Sequence, residues 1–343
     1  MLSVFDYERL AQAKIPHAAW ERIGGGAADE ITLRWNREAF DHLRLRPRVL
    51  VDVSKVDTSI RLLGHRLPFP ILLAPVGAQC FVHPEGDLES VRGAGAAAAI
   101  ITISSSASQP IEEVMQAATG PAWFQLYVQR DREFTRELVQ RAESAGCRAL
   151  CVTVDSPNHG VRNREYRVKE DLPERPLPNL KGKDYLDPSV TWKDIDWLRS
   201  FAKTPVLLKG ILDPDDAAQA VAAGVEGIIV SNHGGRNLDT SPATIEALPY
   251  VVERVERRIP VLMDGGIRRG TDIVKALALG ADAVLIGRPY LWGLAVDGSA
   301  GVVRVVEILR KELELAMALC GRPTIESIDR RACWNCLPKA SEW

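Results

Sequence analysis

Eight apolar runs of strand length recur between residues 69 and 288: FPILLAPV (69–76), AIITISS (99–105), AWFQLYV (122–128), ALCVTV (149–154), VLLKGI (206–211), GIIVSN (227–232), VLMDGG (261–266) and AVLIGR (283–288). Val, Ile and Leu fall on both alternating faces, the pattern of strands buried on both sides of a parallel sheet. Helical patterns stand between them. PIEEVMQAA follows the second run, DREFTRELVQRAESAG the third and DPDDAAQAVAAG the fifth. SPATIEALPYVVERVERR, RRGTDIVKALALG and GVVRVVEILRKELELAMALCG follow the last three. Asp or Ser opens several of these patterns and Gly closes several, as helix capping requires. Eight strand–helix repeats predict an α/β fold of the (β/α)8 TIM-barrel type.

The rest of the chain is arranged around those repeats. Residues 1–69 read as an N-terminal helical segment, 70–320 as the barrel and 321–343 as a C-terminal tail. All 343 residues form one expected domain, since barrels of this kind exceed the usual domain length. One connection is long: residues 156–190, after the fourth run, are Pro-rich, charged and weakly periodic, as lids often are. The 43 basic and 45 acidic residues nearly cancel, which gives no general attraction for nucleic acid or membrane. The first residues, MLSVFDYERLAQAK, lack an apolar signal core, and GAGAAAAIITI (93–103) is too short to span a bilayer. A soluble, cytoplasmic protein is expected. Cys80, Cys147, Cys151 and Cys320 look like small core residues. CWNC (333–336) is a lone C-x-x-C without the second pair that a metal site normally needs, so no metal is expected.

Barrel chemistry gathers where strands end. The first run delivers Val76 and Gly77 there, the second Ser104 and Ser106, the third Gln125 and Tyr127, and the fourth Thr153 and Asp155. The fifth delivers Lys209 and the sixth His233 and Arg236. The seventh ends in DGGIRRG (264–270) and the eighth in GRP (287–289). Glycine-rich turns entering helix N-termini expose N–H groups to an anion, and Arg268 and Arg288 add charge, so a phosphate site is expected there. Tight turns that merely need glycine are the plainer account. Lys209, at a strand end inside a barrel, is costly unless paired or used. It suits a Schiff base, a place beside an electron-rich ring, or a structural salt bridge. His233 and Asp155 come from different strand ends and meet across the mouth if Asp155 fixes the imidazole tautomer. Arg162 and Arg236 then suit a carboxylate clamp. Their alternative is ion pairing with the acidic loop that holds Glu165 and Glu170.

These residues carry a resemblance. SNHGGRNLD (231–239) closely resembles the signature of the FMN-dependent 2-hydroxy acid oxidases and dehydrogenases, and HPEGD, WFQLYV, LLKGI, DGGIRRGTD and IGRP fit as well. The likeness runs from IPHAAWERIGGGAADE to ELELAMALCG. It implies FMN as cofactor and oxidation of a 2-hydroxy acid to the 2-oxo acid, with oxygen or an external acceptor taking the electrons. His233 would be the base, Asp155 its support, and Tyr127 a donor to the substrate oxygen. Arg162 and Arg236 would hold the carboxylate. Ser104, Gln125, Thr153, Lys209 and the Val76–Gly77 backbone would meet the flavin ring. Asp264, Gly266, Arg268, Gly287 and Arg288 would hold the ribityl chain and phosphate. Gly234 and Gly235 would keep the backbone thin beside the flavin. By analogy the protein would be a homotetramer.

The departures concern the substrate. Arg22 stands where many members have a tyrosine, Ser106 where glycolate oxidase has a tryptophan, and His159 where an apolar residue is usual. Gly77 replaces a frequent alanine and would leave room over the flavin. The expected pocket is larger, more polar and more cationic than one for glycolate. It would take added bulk, or a second anionic group at Arg22 or His159. Otherwise Arg22 pairs with Glu21 or the lid. The resemblance also leaves open an amino or imino acid, an amine-bearing substrate of the mycofactocin-maturation type, and a non-redox FMN isomerase.

Overall fold

The computed structural model describes residues 1–174, 176–182 and 185–334. Eight parallel strands close into a barrel in the order β10-β3-β4-β5-β6-β7-β8-β9. They are β3 (Ile71–Leu73), β4 (Ile101–Ser104), β5 (Ala122–Leu126), β6 (Leu150–Thr153), β7 (Val206–Ile211), β8 (Gly227–Val230), β9 (Val261–Met263) and β10 (Ala283–Ile286). Each lies inside one of the eight apolar runs. Around them stand α4 (Asp87–Ala96), α5 (Ile111–Ala117), α6 (Arg132–Ser144), α8 (Trp192–Arg199), α9 (Pro214–Ala222), α10 (Thr244–Val255), α11 (Gly270–Ala278) and α12 (Arg288–Leu319). Asp131 and Asp213 cap α6 and α9 with side-chain bonds, as the sequence suggested. Two members of the ring, α4 and α8, have no counterpart among the sequence patterns.

The N-terminal segment is not wholly helical. Helices α1 (Val4–Lys14), α2 (His17–Gly24) and α3 (Ile31–His42) are followed by an antiparallel hairpin, β1 (Ile60–Leu62) and β2 (His65–Leu67). The hairpin forms because Ile60, Leu62 and Leu67 share one face and bury together. They join Leu72, Trp123, Cys151, Leu207, Leu262 and Leu285, the inward residues of the barrel strands, in one cluster. Intervening strand residues such as Ile71, Ile103, Phe124 and Leu208 face outward into the larger core shared with the helices. The hairpin therefore closes one mouth of the barrel and leaves chemistry to the other.

The long connection after β6 carries a short α-helix, α7 (Asn163–Arg167), followed by a 3-10 turn at Lys169–Asp171. Of the cysteines expected in the core, Cys147, Cys151 and Cys320 are buried, whereas Cys80 is only half-buried. Cys333 is buried, and Cys336, on which the C-x-x-C reading depends, lies outside the described residues. No helix of the described residues is long and apolar enough to cross a membrane.

Candidate active site

A cavity opens at the C-terminal mouth. The residues expected in the site line it, except Asp155, which stands behind His233, and Gly235, which packs on the N-terminal segment. His233 follows β8 in a left-handed turn with φ +58°. This conformation costs a non-glycine residue about 1 kcal/mol and aims the ring across the mouth. Ser231 Oγ accepts the His233 N–H at 3.1 Å and so holds the turn. The ring's Nδ1 lies 3.0 Å from Asp155 Oδ1. An ionised carboxylate only accepts, so Nδ1 carries the proton and Nε2 is free to take one. Burial pushes the His233 pKa down against the opposing pull of Asp155, which leaves a neutral imidazole at neutral pH. Burial would raise the Asp155 carboxyl, but His233 and Lys209 outweigh it and hold it below the usual range.

Asp155 is itself fixed. Ser156 Oγ donates to its Oδ1 at 3.0 Å, and Asn237 Nδ2 donates to its backbone oxygen at 2.9 Å and to Ser156 Oγ at 2.7 Å. A bulge in β7 at Gly210 (φ +113°) lets the carboxylate approach, since a Cβ there would lie 2.5 Å from the Asp155 Cβ. Lys209, just before the bulge, pairs with Asp264 at 2.9 Å and donates to Ser231 Oγ at 2.7 Å. Burial alone would strip its proton, but Asp264 and Asp155 raise its pKa, so it stays an ammonium. The structural salt bridge is therefore present, and the neutral amine needed for a Schiff base is not.

Arg162 and Arg236 both line the cavity. Arg236 Nη1 donates to the carbonyls of Arg22 and Gly25 at 2.7 Å each, and Arg162 Nε donates to the Arg236 carbonyl at 3.3 Å. Burial lowers the Arg236 pKa to about 10, which leaves it charged at neutral pH. Arg22 pairs with Glu165 of the lid rather than with Glu21, while still lining the cavity. Glu21 instead binds Arg164 at 2.6 Å. Burial pushes the Tyr127 phenol up, so it remains a donor. Its ring lies 5.6 Å from Tyr185, whose ring is 5.7 Å from His159. Burial, with Arg162 nearby, lowers the His159 pKa and leaves that ring neutral.

Two glycine expectations are corrected. Gly77 does not open space: a Cβ there would lie 2.5 Å from the Ser106 Cβ, so that volume is already filled. Gly235 is thin against α3 rather than against a ligand, since its Cβ would meet the Leu33 backbone at 2.8 Å. Sequence reasoning also missed two contributors, Asn237 and Tyr185. Asn237 lay in view inside the SNHGGRNLD motif. Tyr185 had no signal, because its place depends on the path of the long connection. Glu165 is the alternative ion-pair partner that the sequence offers for Arg162 and Arg236, and it does pair with Arg236 at 3.1 Å and stands 3.7 Å from Arg162.

The cavity suits FMN on its own chemistry. Gln125 Oε1 accepts from Ser104 at 3.0 Å, while its buried Nε2 has no protein partner among the described residues. That leaves a donor for the acceptor edge of a heteroaromatic ring. Asp264 Oδ1 is likewise buried without a partner, an acceptor for a polyol hydroxyl. At Gly287 a Cβ would meet nothing closer than 3.8 Å, so open space rather than packing surrounds it. The N-terminus of α12 that follows has no side-chain cap, which leaves N–H groups for an anion. Arg268 stacks 4.8 Å over Trp292. Arg288 donates to the carbonyls of Ile23, Gly234 and Gly25, so part of its donor capacity braces the N-terminal segment. Burial brings their pKa values to about 10 and about 9, both charged at neutral pH.

Residues 11–335 match the protein family described as FMN-dependent dehydrogenase. An L-lactate oxidase from Nostoc sp. is 45% identical, covering 96% of each chain. A peroxisomal (S)-2-hydroxy-acid oxidase from Oryza sativa subsp. japonica is 47% identical, covering 96% of this chain and 94% of its own. Among solved structures, mandelate oxidase with (S)-2-phenylpropionate has a TM-score of 0.93 at 40% identity, covering 99% of this chain and 100% of that one. A soluble mutant of the membrane-associated (S)-mandelate dehydrogenase from Pseudomonas putida has a TM-score of 0.94 at 36% identity, covering 98% and 100%. The barrel, the cavity fitted to a flavin and a match over nearly the whole length agree: this chain belongs to the FMN-dependent dehydrogenase family and is a flavin-dependent oxidoreductase.

Proposed function

We propose that this enzyme oxidises a 2-hydroxy monocarboxylic acid, bulkier than glycolate, to its 2-oxo acid. The observation that carries this reading is the His233–Asp155 pair facing the same cavity as Arg162 and Arg236. Converting R–CHOH–COO⁻ to R–CO–COO⁻ removes two protons and two electrons. FMN, when bound, would accept the electron pair together with one of the two protons, a hydride equivalent. His233 Nε2 takes a proton, and Asp155 stabilises the imidazolium that results. Arg162 and Arg236 orient the carboxylate through charge-assisted bonds. Tyr127 donates to the oxygen at C2, and Lys209, held as an ammonium by Asp264, stabilises negative charge gathering near it.

The side-chain end of the pocket supports added bulk rather than a second charge. Ser106, Tyr185 and His159 lie next to one another on the cavity wall, which Leu177 also lines, a mixture of small, aromatic and neutral groups. Arg22, the reason to consider a diacid or an amine-bearing substrate, is met by Glu165. Related enzymes bear names from lactate to mandelate, so the family alone does not choose a side chain.

The test is anaerobic mixing of the FMN-loaded protein with 2-hydroxy acids in both enantiomers: small, aromatic, long-chain and dicarboxylic. Rapid flavin bleaching by an aromatic or long-chain monoacid, and slow or no bleaching by glycolate, is expected. Admitting air then shows whether oxygen serves as acceptor. Bound flavin that no member of the panel bleaches overturns the reading.

A further inference from the structure

Three guanidiniums beside the cavity converge on one carboxylate of the protein itself. Glu165 of α7 takes an ion pair from Arg22 on Oε1 and a bond from Arg236 Nη2 on Oε2 at 3.1 Å, and Arg162 Nη1 stands 3.7 Å from the same oxygen. The three arginines line the cavity, while Glu165, only 12% exposed, stands behind them. Burial would raise its carboxyl, but Arg22, Arg236 and Arg162 prevail and keep it ionised. The placement is braced. Arg164, the preceding residue, binds Glu21 at 2.6 and 2.9 Å and reaches Glu30 at 3.3 Å. Residues 21 and 22 of α2 thus exchange crossed ion pairs with residues 164 and 165 of α7. Arg22 is further held with its guanidinium 5.0 Å from the Phe81 ring centre.

This arrangement settles the charge that a substrate meets. Glu165 Oε1 is committed to Arg22, while Oε2 is shared between Arg236 and the more distant Arg162, so the unmatched positive charge lies at Arg162 and Arg236, where the substrate carboxylate would bind. A second carboxylate directed at Arg22 would find that guanidinium already matched, with an anion directly behind it. Like charges this close repel strongly where water is scarce.

We propose that Glu165 is a specificity-determining positioning residue that makes the pocket select monocarboxylic over dicarboxylic 2-hydroxy acids, acting through Arg22, Arg162 and Arg236. The proposal rests on the 2-hydroxy acid reading above. It also explains how a pocket with three arginines keeps one substrate carboxylate in register: Glu165 draws Arg22 away from competing for it.

The test uses equilibrium binding of 2-oxo acids to the FMN-loaded protein, read from the perturbed flavin absorbance. The probes are 2-oxo-4-methylpentanoate and 2-oxoglutarate, which differ chiefly in the second carboxylate. Glu165→Gln is expected to tighten 2-oxoglutarate relative to the monoacid by roughly tenfold or more. Adding Arg22→Gln in the same chain should abolish that gain. A merely structural role for Glu165 would move both ligands together, and equal changes overturn the proposal. Should Glu165→Gln fail to hold FMN, Glu165→Asp decides: the shorter carboxylate withdraws from Arg22, so the proposal expects a smaller but still selective gain for 2-oxoglutarate, and equal changes in both ligands overturn it. If the unaltered enzyme binds FMN but neither acid, the 2-hydroxy acid reading itself fails, an outcome distinct from the others.

Discussion

At the N-terminal mouth of the barrel, Leu62 and Leu67 of the hairpin close over Trp123, Cys151, Leu207 and Leu262; two residues further along the same strands, on the same face, stand Gln125, Thr153, Lys209 and Asp264. Side chains two apart on a strand point the same way and lie about 7 Å from each other. The change from sealed hydrocarbon to hydrogen-bonding chemistry is therefore made in a single step along each strand. One mouth holds the barrel shut, and the other arranges donors, acceptors and charges. A substitution at one end should leave the other end's property nearly untouched.

The largest expected effect is at the C-terminal mouth. His233→Gln removes the proposed base and should lower kcat about 10²–10⁴-fold. The flavin should remain bound and the melting temperature should shift little. Steady-state rates beside a thermal melt check this, and a large loss of stability would break the separation of the two mouths. Asp155→Asn should cost activity toward the lower end of that range and also move the pH profile. His233 already has a lowered pKa, so kcat/KM should fall as pH drops through a value below the usual 6.5. Asp155 pulls that pKa upward, so its replacement should move the acid limb to still lower pH. A limb that moves the other way would mean that another group titrates.

The N-terminal mouth should answer in stability. Leu62→Ala deletes a side chain that is 2% exposed, at the centre of the hairpin's buried face. The expected cost is about 2–4 kcal/mol in denaturant unfolding. The folded fraction should keep its pH profile and its anaerobic flavin reduction. A proportionate loss of turnover per bound flavin would show that the hairpin reaches the chemistry.

The same contrast explains what the sequence could disclose. The eight strands were legible because Val, Ile and Leu filled both faces, as in VLLKGI and GIIVSN. Strand ends followed from those runs, and with them His233, Lys209 and the glycine turns. The hairpin was not legible: Ile60–Leu62 and Leu67 give only three buried positions around a Leu-Gly turn, too short for a period to show. Helix α4, with its run of glycine and alanine, offered weak amphipathy, and α8 stood in the shadow of the lid. Arg22 was visible as an anomaly. Pairings with Glu21 and with the long connection were both open, and the choice was not legible because Arg22 and Glu165 are separated by 143 positions and meet only once α7 docks on α2. Gly77 was misread for a similar reason. Its missing Cβ looks like room until Ser106, from the neighbouring strand end, is seen to fill it.

The smallest effect is expected at the boundary between the mouths. Cys151 of β6 belongs to the sealed cluster, and Thr153, the next residue on its face, lines the cavity. Burial pushes the Cys151 thiol up to about 12, so it is not a thiolate at neutral pH and should resist alkylation while the protein is folded. Cys151→Ala removes one sulfur from a closed apolar space. The loss should be about 1 kcal/mol of stability, close to that of one buried methylene. Flavin affinity and the acid limb should not change if the sealed layer ends at Cys151. A shift in flavin affinity would place the boundary deeper, with Cys151 supporting Thr153 against the flavin. Parallel denaturant titrations and flavin-release measurements on the two proteins distinguish those cases, since only the second couples a packing change to the cofactor.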